Sequence, residues 1–268
     1  MSAKAAVRYS YMKTVEYFDG GDVALSQGDD VIIRTDRGVE WGQVLVPDAD
    51  VEKSALKGEV LRKSTKKDRK KLHEIVRKQE PEEYQVCQEL IDRYELPMKL
   101  VKVEHLFGGH KIIFFFVADG RVDFRKLVKD LAKKYRTRIE MRQIGVRDEA
   151  RLLGLFGSCG RELCCCKFLQ ALKPVPMKDA KNQKSTLDPA KIGGRCGRLK
   201  CCLKYENDTY RELKENLPRR GTEVQTQRGE GVVVGYEILS QTVTVQYEDE
   251  TEETLTLGEI SVHEAQHT

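Results

Sequence analysis

Hydrophobic and polar positions alternate with a period of two over the first fifty residues, in short runs broken by turn-forming pairs. Ala6-Val7-Arg8-Tyr9, Val15-Glu16-Tyr17-Phe18, Asp30-Val31-Ile32-Ile33-Arg34 and Trp41-Gly42-Gln43-Val44-Leu45-Val46 each read as a strand. Gly-Asp, Asp-Gly and Arg-Gly turns separate them. Residues 1–56 are therefore expected to form a small antiparallel barrel. The period then lengthens. Over residues 58–96, Leu72, Ile75, Val76, Val86, Leu90 and Ile91 fall at helical spacing, and Pro81 suits the first turn of a second helix. This gives a helical segment over 57–97.

Residues 98–150 read as a ββαβ sandwich, an α+β core. Lys99 to Leu106 and Lys111 to Ala118 pair as strands across Phe107-Gly-Gly-His110. Val122 to Tyr135 is an amphipathic helix with Leu127, Val128 and Leu131 inward, and Arg138 to Ile144 is the last strand. The longest apolar run, Ile112 to Val117, has the length of a buried strand. Residues 218–268 return to short strands. Gly221-Thr-Glu-Val224, Arg228-Gly229 and Gly231-Val-Val233 echo Gly28-Asp-Asp-Val31, Arg37-Gly38 and Gly42-Gln-Val44, and the strand Thr242 to Tyr247 follows. A second small β-barrel, acidic in composition, is expected there. Between these parts, 151–217 forms a cysteine-rich helical block. The predicted fold class is α+β.

Of the 268 residues, 40% are hydrophobic and 34% are charged. No apolar run approaches the roughly 20 residues that span a bilayer, and the N-terminus lacks a secretory pattern. A soluble, cytoplasmic protein without membrane insertion is expected. The formal net charge of +4 hides strong segregation. Residues 57–78 carry ten Lys/Arg against three acidic residues, and 151–204 carry twelve against three. Residues 221–268 carry one basic and ten acidic side chains. Such asymmetry suits docking to other macromolecules. The basic face of the first helix fits RNA or an acidic partner as well as a solvated surface. His105 and His110, which flank a turn, read as surface histidines.

The cysteines carry the chemistry. In a reducing compartment lasting disulfides are uncommon. Cys87 stands alone at an inward helical position, where cysteine packs as a small hydrophobe. The other seven fall between Cys159 and Cys202. Gly157-Ser-Cys159-Gly-Arg161-Glu-Leu-Cys164-Cys165-Cys166 and Gly194-Arg-Cys196-Gly-Arg198-Leu-Lys-Cys201-Cys202 repeat one another. Both read Cys-Gly-Arg-x-x-Cys-Cys. Thiolates bind metals, and cationic surroundings and helix N-termini lower thiol pKa. The symmetric four, Cys159, Cys164, Cys196 and Cys201, are the first-choice ligands. Adjacent helical residues point about 100° apart, so Cys165, Cys166 and Cys202 suit a second site completed by another chain. Arg161 and Arg198 are candidates to support the ligands. Structural zinc favours tighter Cys-x2–4-Cys pairs, whereas a four-residue gap occurs in plant-type ferredoxins. Iron–sulfur, zinc, and redox or packed thiols all stay open on spacing. No paired nucleophile and base and no phosphate-cradling loop is present, so catalysis is not expected.

The two cysteine turns, with Met177-Lys-Asp-Ala-Lys-Asn-Gln183, Leu187-Asp-Pro-Ala-Lys-Ile-Gly-Gly194 and Cys201-Cys-Leu-Lys-Tyr-Glu206, resemble the YaaT/RicT family. Tyr17-Phe-Asp19 and Gly28-Asp-Asp-Val31 resemble it too, so the likeness covers roughly residues 5–260. The resemblance implies a non-catalytic regulatory subunit holding a 4Fe-4S cluster shared with partner subunits. On this likeness the metal ligands come from Cys159, Cys164, Cys165, Cys196, Cys201 and Cys202, with Cys166 outside the essential pattern. The implied partners are RicA (YmcA)-like and RicF (YlbF)-like proteins and the membrane-anchored RNase Y, through which the chain is recruited to the membrane. The implied role is mRNA processing that affects sporulation, competence and biofilm formation. The likeness also admits a flavin, although the chain has no dinucleotide fingerprint. The alternative is a zinc-stabilised RNA-binding module.

Overall fold

The structure, a computed structural model, describes residues 3–169 and 172–262. The chain forms two compact units, Met1–Gln170 and Ala171–Thr268.

In the first unit, β1 (Ala3–Tyr9), β2 (Thr14–Gly21), β3 (Asp30–Thr35), β4 (Gly38–Val46) and β5 (Leu56–Lys63) close a barrel in the order β1-β2-β5-β3-β4. Val7, Phe18, Val31, Ile33, Val44 and Val60 fill it. The fifth strand corrects the sequence reading twice. Residues 56–63 are extended where a helix was expected from residue 58, and β2 and β5 run parallel, so the barrel is mixed. The charged outer face of β5 (Lys57, Glu59, Arg62, Lys63) resembles a solvated helix in composition. Its inward Val60 and the close approach at Gly58 belong to a strand. A Cβ at Gly58 would lie 1.9 Å from the Arg34 carbonyl oxygen.

A long helix follows: α1 (Lys66–Glu74), a π-helical turn (Ile75–Gln79) and α2 (Glu80–Arg93) run without a break in helical backbone. Thr65 and Asp68 form a capping box at its start. Asp68 also binds Arg62, which with the Thr65 hydroxyl holds its carboxyl well below the usual range. Pro81, with no N–H to donate, is the second residue of α2 and follows the π turn. Leu72 and Ile75 pack on Ile32, Trp41 and Phe107.

The ββαβ order holds. β6 (Lys99–His105), β7 (Lys111–Val117), α3 (Arg125–Tyr135) and β8 (Arg138–Gln143) give a sheet in the order β6-β7-β8. β7 runs antiparallel to β6 and parallel to β8. Both faces of β7 are buried. Ile112 and Phe114 meet Leu127 and Leu131 of α3 and Cys87, Leu90 and Ile91 of α2. Ile113 and Phe115 meet Met12, Ile144 and Leu152, the last on α4 (Val146–Leu153). Burial pushes the Cys87 thiol up to about 12. The short α5 (Cys164–Lys167) lies near the end of the unit.

A buried polar network ties barrel to sheet. Glu104 accepts from the Tyr11 N–H at 3.0 Å and from the Arg37 guanidinium. Glu80 accepts from the Tyr11 hydroxyl at 2.5 Å and from the His105 N–H at 3.1 Å. His105 Nδ1 lies 2.6 Å from Glu83. His105, expected at the surface, is therefore largely enclosed, whereas His110 is exposed.

The second unit begins with α6 (Met177–Asn182), α7 (Pro189–Ile192) and α8 (Cys201–Glu215). β9 (Glu223–Thr226), β10 (Gly229–Glu237), β11 (Thr242–Gln246), β12 (Glu252–Thr256) and β13 (Ile260–Val262) follow. Their antiparallel sheet has the order β12-β11-β10-β9-β13. Among the described residues β12 and β13 do not pair, so the expected second barrel is an open sheet. Residues 263–268 of that expected domain lie outside the described residues. The sequence echo is also a structural one. The Thr35 hydroxyl accepts from the Arg37 N–H and donates to the Gly38 carbonyl, and Thr226 does the same with Arg228 and Gly229. Gly28 N–H donates to Val44 and Gly221 N–H to Val233, both at 2.8 Å.

Two outcomes follow from this packing. Gly58→Ala should lower the free energy of unfolding by about 1–3 kcal/mol, because overpacking displaces backbone; an unchanged urea midpoint would contradict the close approach. Burial raises the Glu40 carboxyl from 4.5 to about 7. A raised pKa favours folding below the unfolded value and loses that contribution as pH climbs toward the folded one. Wild-type stability relative to Glu40→Gln should therefore fall by on the order of 3 kcal/mol between pH 4.5 and 7, as read by urea titrations across that range.

Candidate metal centre

Each cysteine turn is built by its own backbone. In the first, Gly157 N–H donates to the Arg161 carbonyl at 2.8 Å and Gly160 N–H to Gly157 at 3.1 Å. In the second, Gly194 N–H donates to Arg198 at 2.7 Å and Gly197 N–H to Gly194 at 3.0 Å. Leu163 N–H returns to the Leu155 carbonyl, and Lys200 N–H returns to Ile192. Gly160 and Gly197 both have φ +74°, a left-handed conformation that favours glycine. That explains the glycine after each leading cysteine. Phe156 bridges to Glu162, and Gly193 to Leu199. The two turns are the same structure 37 positions apart.

Each turn delivers cysteine to a helix start. Cys164 is the first residue of α5 and Cys201 the first of α8, and Leu163 and Lys200 before them share one extended conformation. Cys159 is exposed, Cys164, Cys196, Cys201 and Cys202 are half-buried, and Cys165 is buried. All eight cysteines are thiols. The Sγ of Cys159 lies over Gly157, where a Cβ would come within 3.2 Å of it. Burial, followed by the Glu206 charge, pushes the Cys202 thiol up.

The first unit thus holds Cys159, Cys164 and Cys165, and the second holds Cys196, Cys201 and Cys202. Among the described residues, no group of three or more His, Cys, Asp or Glu side chains is gathered around one point as an ion requires. The donors fit a thiophilic metal in kind: soft sulfur ligands suit iron–sulfur centres and zinc. In number, each turn offers part of a set.

Cys166 differs. It is buried, and its Sγ lies 3.7 Å from the Arg151 carbonyl. Its counterpart 37 positions on is Leu203, which packs with Ala180 and Ile192. In the repeat, this position is a packing position. Arg161 and Arg198 contribute backbone carbonyls to the turns, and their side chains are exposed.

The sequence reading missed the groups that hold the cysteine helices. Arg151 of α4 donates through Nε to the Cys165 carbonyl at 3.0 Å and through Nη1 to the Met12 carbonyl at 3.4 Å. Gln183 donates to the Leu203 carbonyl at 2.6 Å, and Asn182 to Asn207 at 3.3 Å. The only sequence signals are a cation amid the apolar positions of α4 and two amides at the C-terminal end of α6. The two turns differ in cover at one matched apolar position. Leu155 is 36% exposed where its counterpart Ile192 is 4% exposed, while Phe168 and its counterpart Tyr205 are both exposed.

The fold and the paired turns define an α+β protein with a duplicated cysteine turn. Residues 58–144 match the PSP1 C-terminal conserved region, and residues 174–217 match the third domain of PSP1-like proteins. The chain is 46% identical to the stage 0 sporulation protein YaaT of Bacillus subtilis over 244 residues, which cover 90% of this chain and 88% of that protein. It is 28% identical to an uncharacterized protein of Schizosaccharomyces pombe over 155 residues, 46% of this chain and 20% of that protein. No solved structure matches. The chain belongs to the PSP1 family, on its YaaT/RicT branch. No helix among the described residues is long and apolar enough to cross a membrane.

Cys166→Ala should leave metal retention unchanged and cost about 1 kcal/mol of stability for the lost buried sulfur. Metal analysis of the purified variant checks this, and loss equal to that of Cys159→Ser would make Cys166 a ligand.

Proposed function

We propose that the chain is a non-catalytic regulatory subunit that holds a 4Fe-4S cluster together with RicA- and RicF-like partners. In this reading the assembly modulates RNase Y-dependent mRNA processing in the cytoplasm, at the membrane through RNase Y, and so affects sporulation, competence and biofilm formation. The sporulation link also has support in the name of the B. subtilis relative. The observation that carries the cofactor reading is the duplicated turn, which repeats hydrogen bond for hydrogen bond and places cysteine at the same three positions.

The residues that would hold the cluster are Cys159, Cys164, Cys165, Cys196, Cys201 and Cys202. When bound, such a cluster supplies a redox-sensitive link between protein segments. The chain's own part is to fix the thiols. The left-handed glycines set the leading cysteines, and Arg151 and Gln183 hold carbonyls of the helices that carry the trailing ones. The basic composition of 151–204 offsets the negative charge of a thiolate-ligated centre. Partial donor sets on each turn favour completion by another chain.

Protein co-expressed with its partners and purified without oxygen should be brown and contain iron and sulfide. Cys159→Ser or Cys196→Ser should abolish retention of both, and Cys87→Ser should retain them. The assembly should survive high salt and dissociate when the cluster is oxidised, as size-exclusion chromatography reads. Colourless protein with stoichiometric zinc would replace this reading with the zinc-stabilised RNA-binding module.

A further inference from the structure

The helices of the second unit and the loop that leads into its acidic sheet form a basic concavity. A groove of about 440 Å³ is lined by Lys178 and Asn182 of α6, Arg211, Lys214 and Glu215 of α8, the loop Leu217-Pro218-Arg219, and Tyr236 of β10. Four cations converge there from three elements, against one lining carboxylate. Among the described residues the one ion pair any of them makes joins Arg211 to Asp208 at 3.9 Å, between two exposed side chains. That geometry contributes little in water. Like charges drawn together with less counter-charge than cation repel one another, so the arrangement favours an anion. Carboxylates are abundant nearby in sequence, since residues 221–268 carry ten acidic side chains, yet the groove wall holds only Glu215.

The wall is also shaped. Lys184 donates to the Tyr236 carbonyl and sets its Nζ 3.7 Å from the Tyr236 ring centroid, which fixes that ring against the groove. Leu217 is buried beneath the sheet core with Tyr210 and Leu213 packed on it. The backbone under Arg219 is thereby anchored. Two arginines supply planar forks that match phosphate oxygens, two lysines supply point charges, and Asn182 and Tyr236 are polar groups of the kind that contact phosphate and sugar.

We propose that this groove binds the phosphodiester backbone of single-stranded RNA, by charge and without base readout. The inference goes beyond the cluster reading and stands on the groove alone. Iron and sulfide content, measured in the same variants, keeps failure of one distinct from failure of the other.

The test uses the full chain and a fluorescein-labelled single-stranded RNA of mixed sequence, followed by anisotropy across a salt series. Arg211→Glu with Lys214→Glu should weaken binding by about tenfold or more and flatten the log K against log salt slope by about 1.4, for two lost phosphate contacts. Lys178→Glu with Arg219→Glu, from other elements, should act alike and guards against a local folding defect in the first pair. Arg211→Lys with Lys214→Arg should retain most of the affinity. Lys126→Glu with Lys129→Glu, exposed on α3, makes the same charge change elsewhere and should alter affinity by less than about threefold. Equal or greater loss from the α3 pair would overturn the proposal, as would no binding by the wild type. Displacement of the RNA by a poly-glutamate peptide as readily as by unlabelled RNA would assign the groove to an acidic protein instead.

Discussion

The strand Lys111–Val117 is buried on both faces, and the first unit is arranged to satisfy that burial. A strand with side chains alternating between two apolar faces needs a cover on each side. Helices α2 and α3 cover Ile112 and Phe114, while Met12 and Leu152 cover Ile113 and Phe115. Leu152 belongs to α4, so the second face determines where that helix lies. Arg151 is its neighbour on α4 and reaches the Cys165 carbonyl. A core requirement is thus passed, through one helix, to the segment that presents thiols.

The duplicated turn shows which parts of a cysteine site are intrinsic and which are contextual. The hydrogen bonds, the left-handed glycine and the extended residue before the helix repeat because they are fixed within a dozen residues. What surrounds each turn does not repeat. Ile192 and Leu203 are sealed with Ala180, whereas Leu155 stays part-exposed and Cys166 takes the place of Leu203. The thiol at that place packs as a small hydrophobe does, and Cys165 beside it is equally buried.

Features governed by local physics were legible in the sequence. The first four strands, the ββαβ order and both cysteine turns follow from alternation, helical spacing and turn residues. The fifth barrel strand was hidden because Lys57, Glu59, Arg62 and Lys63 give it a helix-like polar composition. Its identity rests on pairing with β3 and β2, which are distant in sequence. His105 was misjudged because its partner Glu83 comes from α2, which packs against β6 and is distant in sequence. The C-terminal echo did reproduce a hairpin, but strand closure depends on how far the sheet coils, which a short motif does not encode. Arg151 and Gln183 were invisible for the same reason as Glu83: their roles are set by tertiary neighbours.

The polar network between barrel and sheet has a consequence for the first cysteine turn. Buried carboxylates are tolerated only when paired and hydrogen-bonded, and Glu80 and Glu104 meet that demand mainly through Tyr11, His105 and Arg37. Apolar packing alone would let the barrel slide against the sheet at small cost. Directional bonds to buried charge do not, because a shift leaves a carboxylate unpaired. Tyr11 sits in the β1–β2 turn, and the next residue, Met12, both packs on Phe115 and accepts from Arg151. The network that fixes Tyr11 therefore also fixes the Met12 carbonyl, and with it one anchor of the arginine that holds the Cys165 carbonyl. Lys13, one position further, reaches Glu162 within the cysteine turn itself at 3.4 Å. The β1–β2 turn is in this way a bracket: locked to the sheet by Glu80 and Glu104 on one side, it supports the thiol-bearing turn on the other.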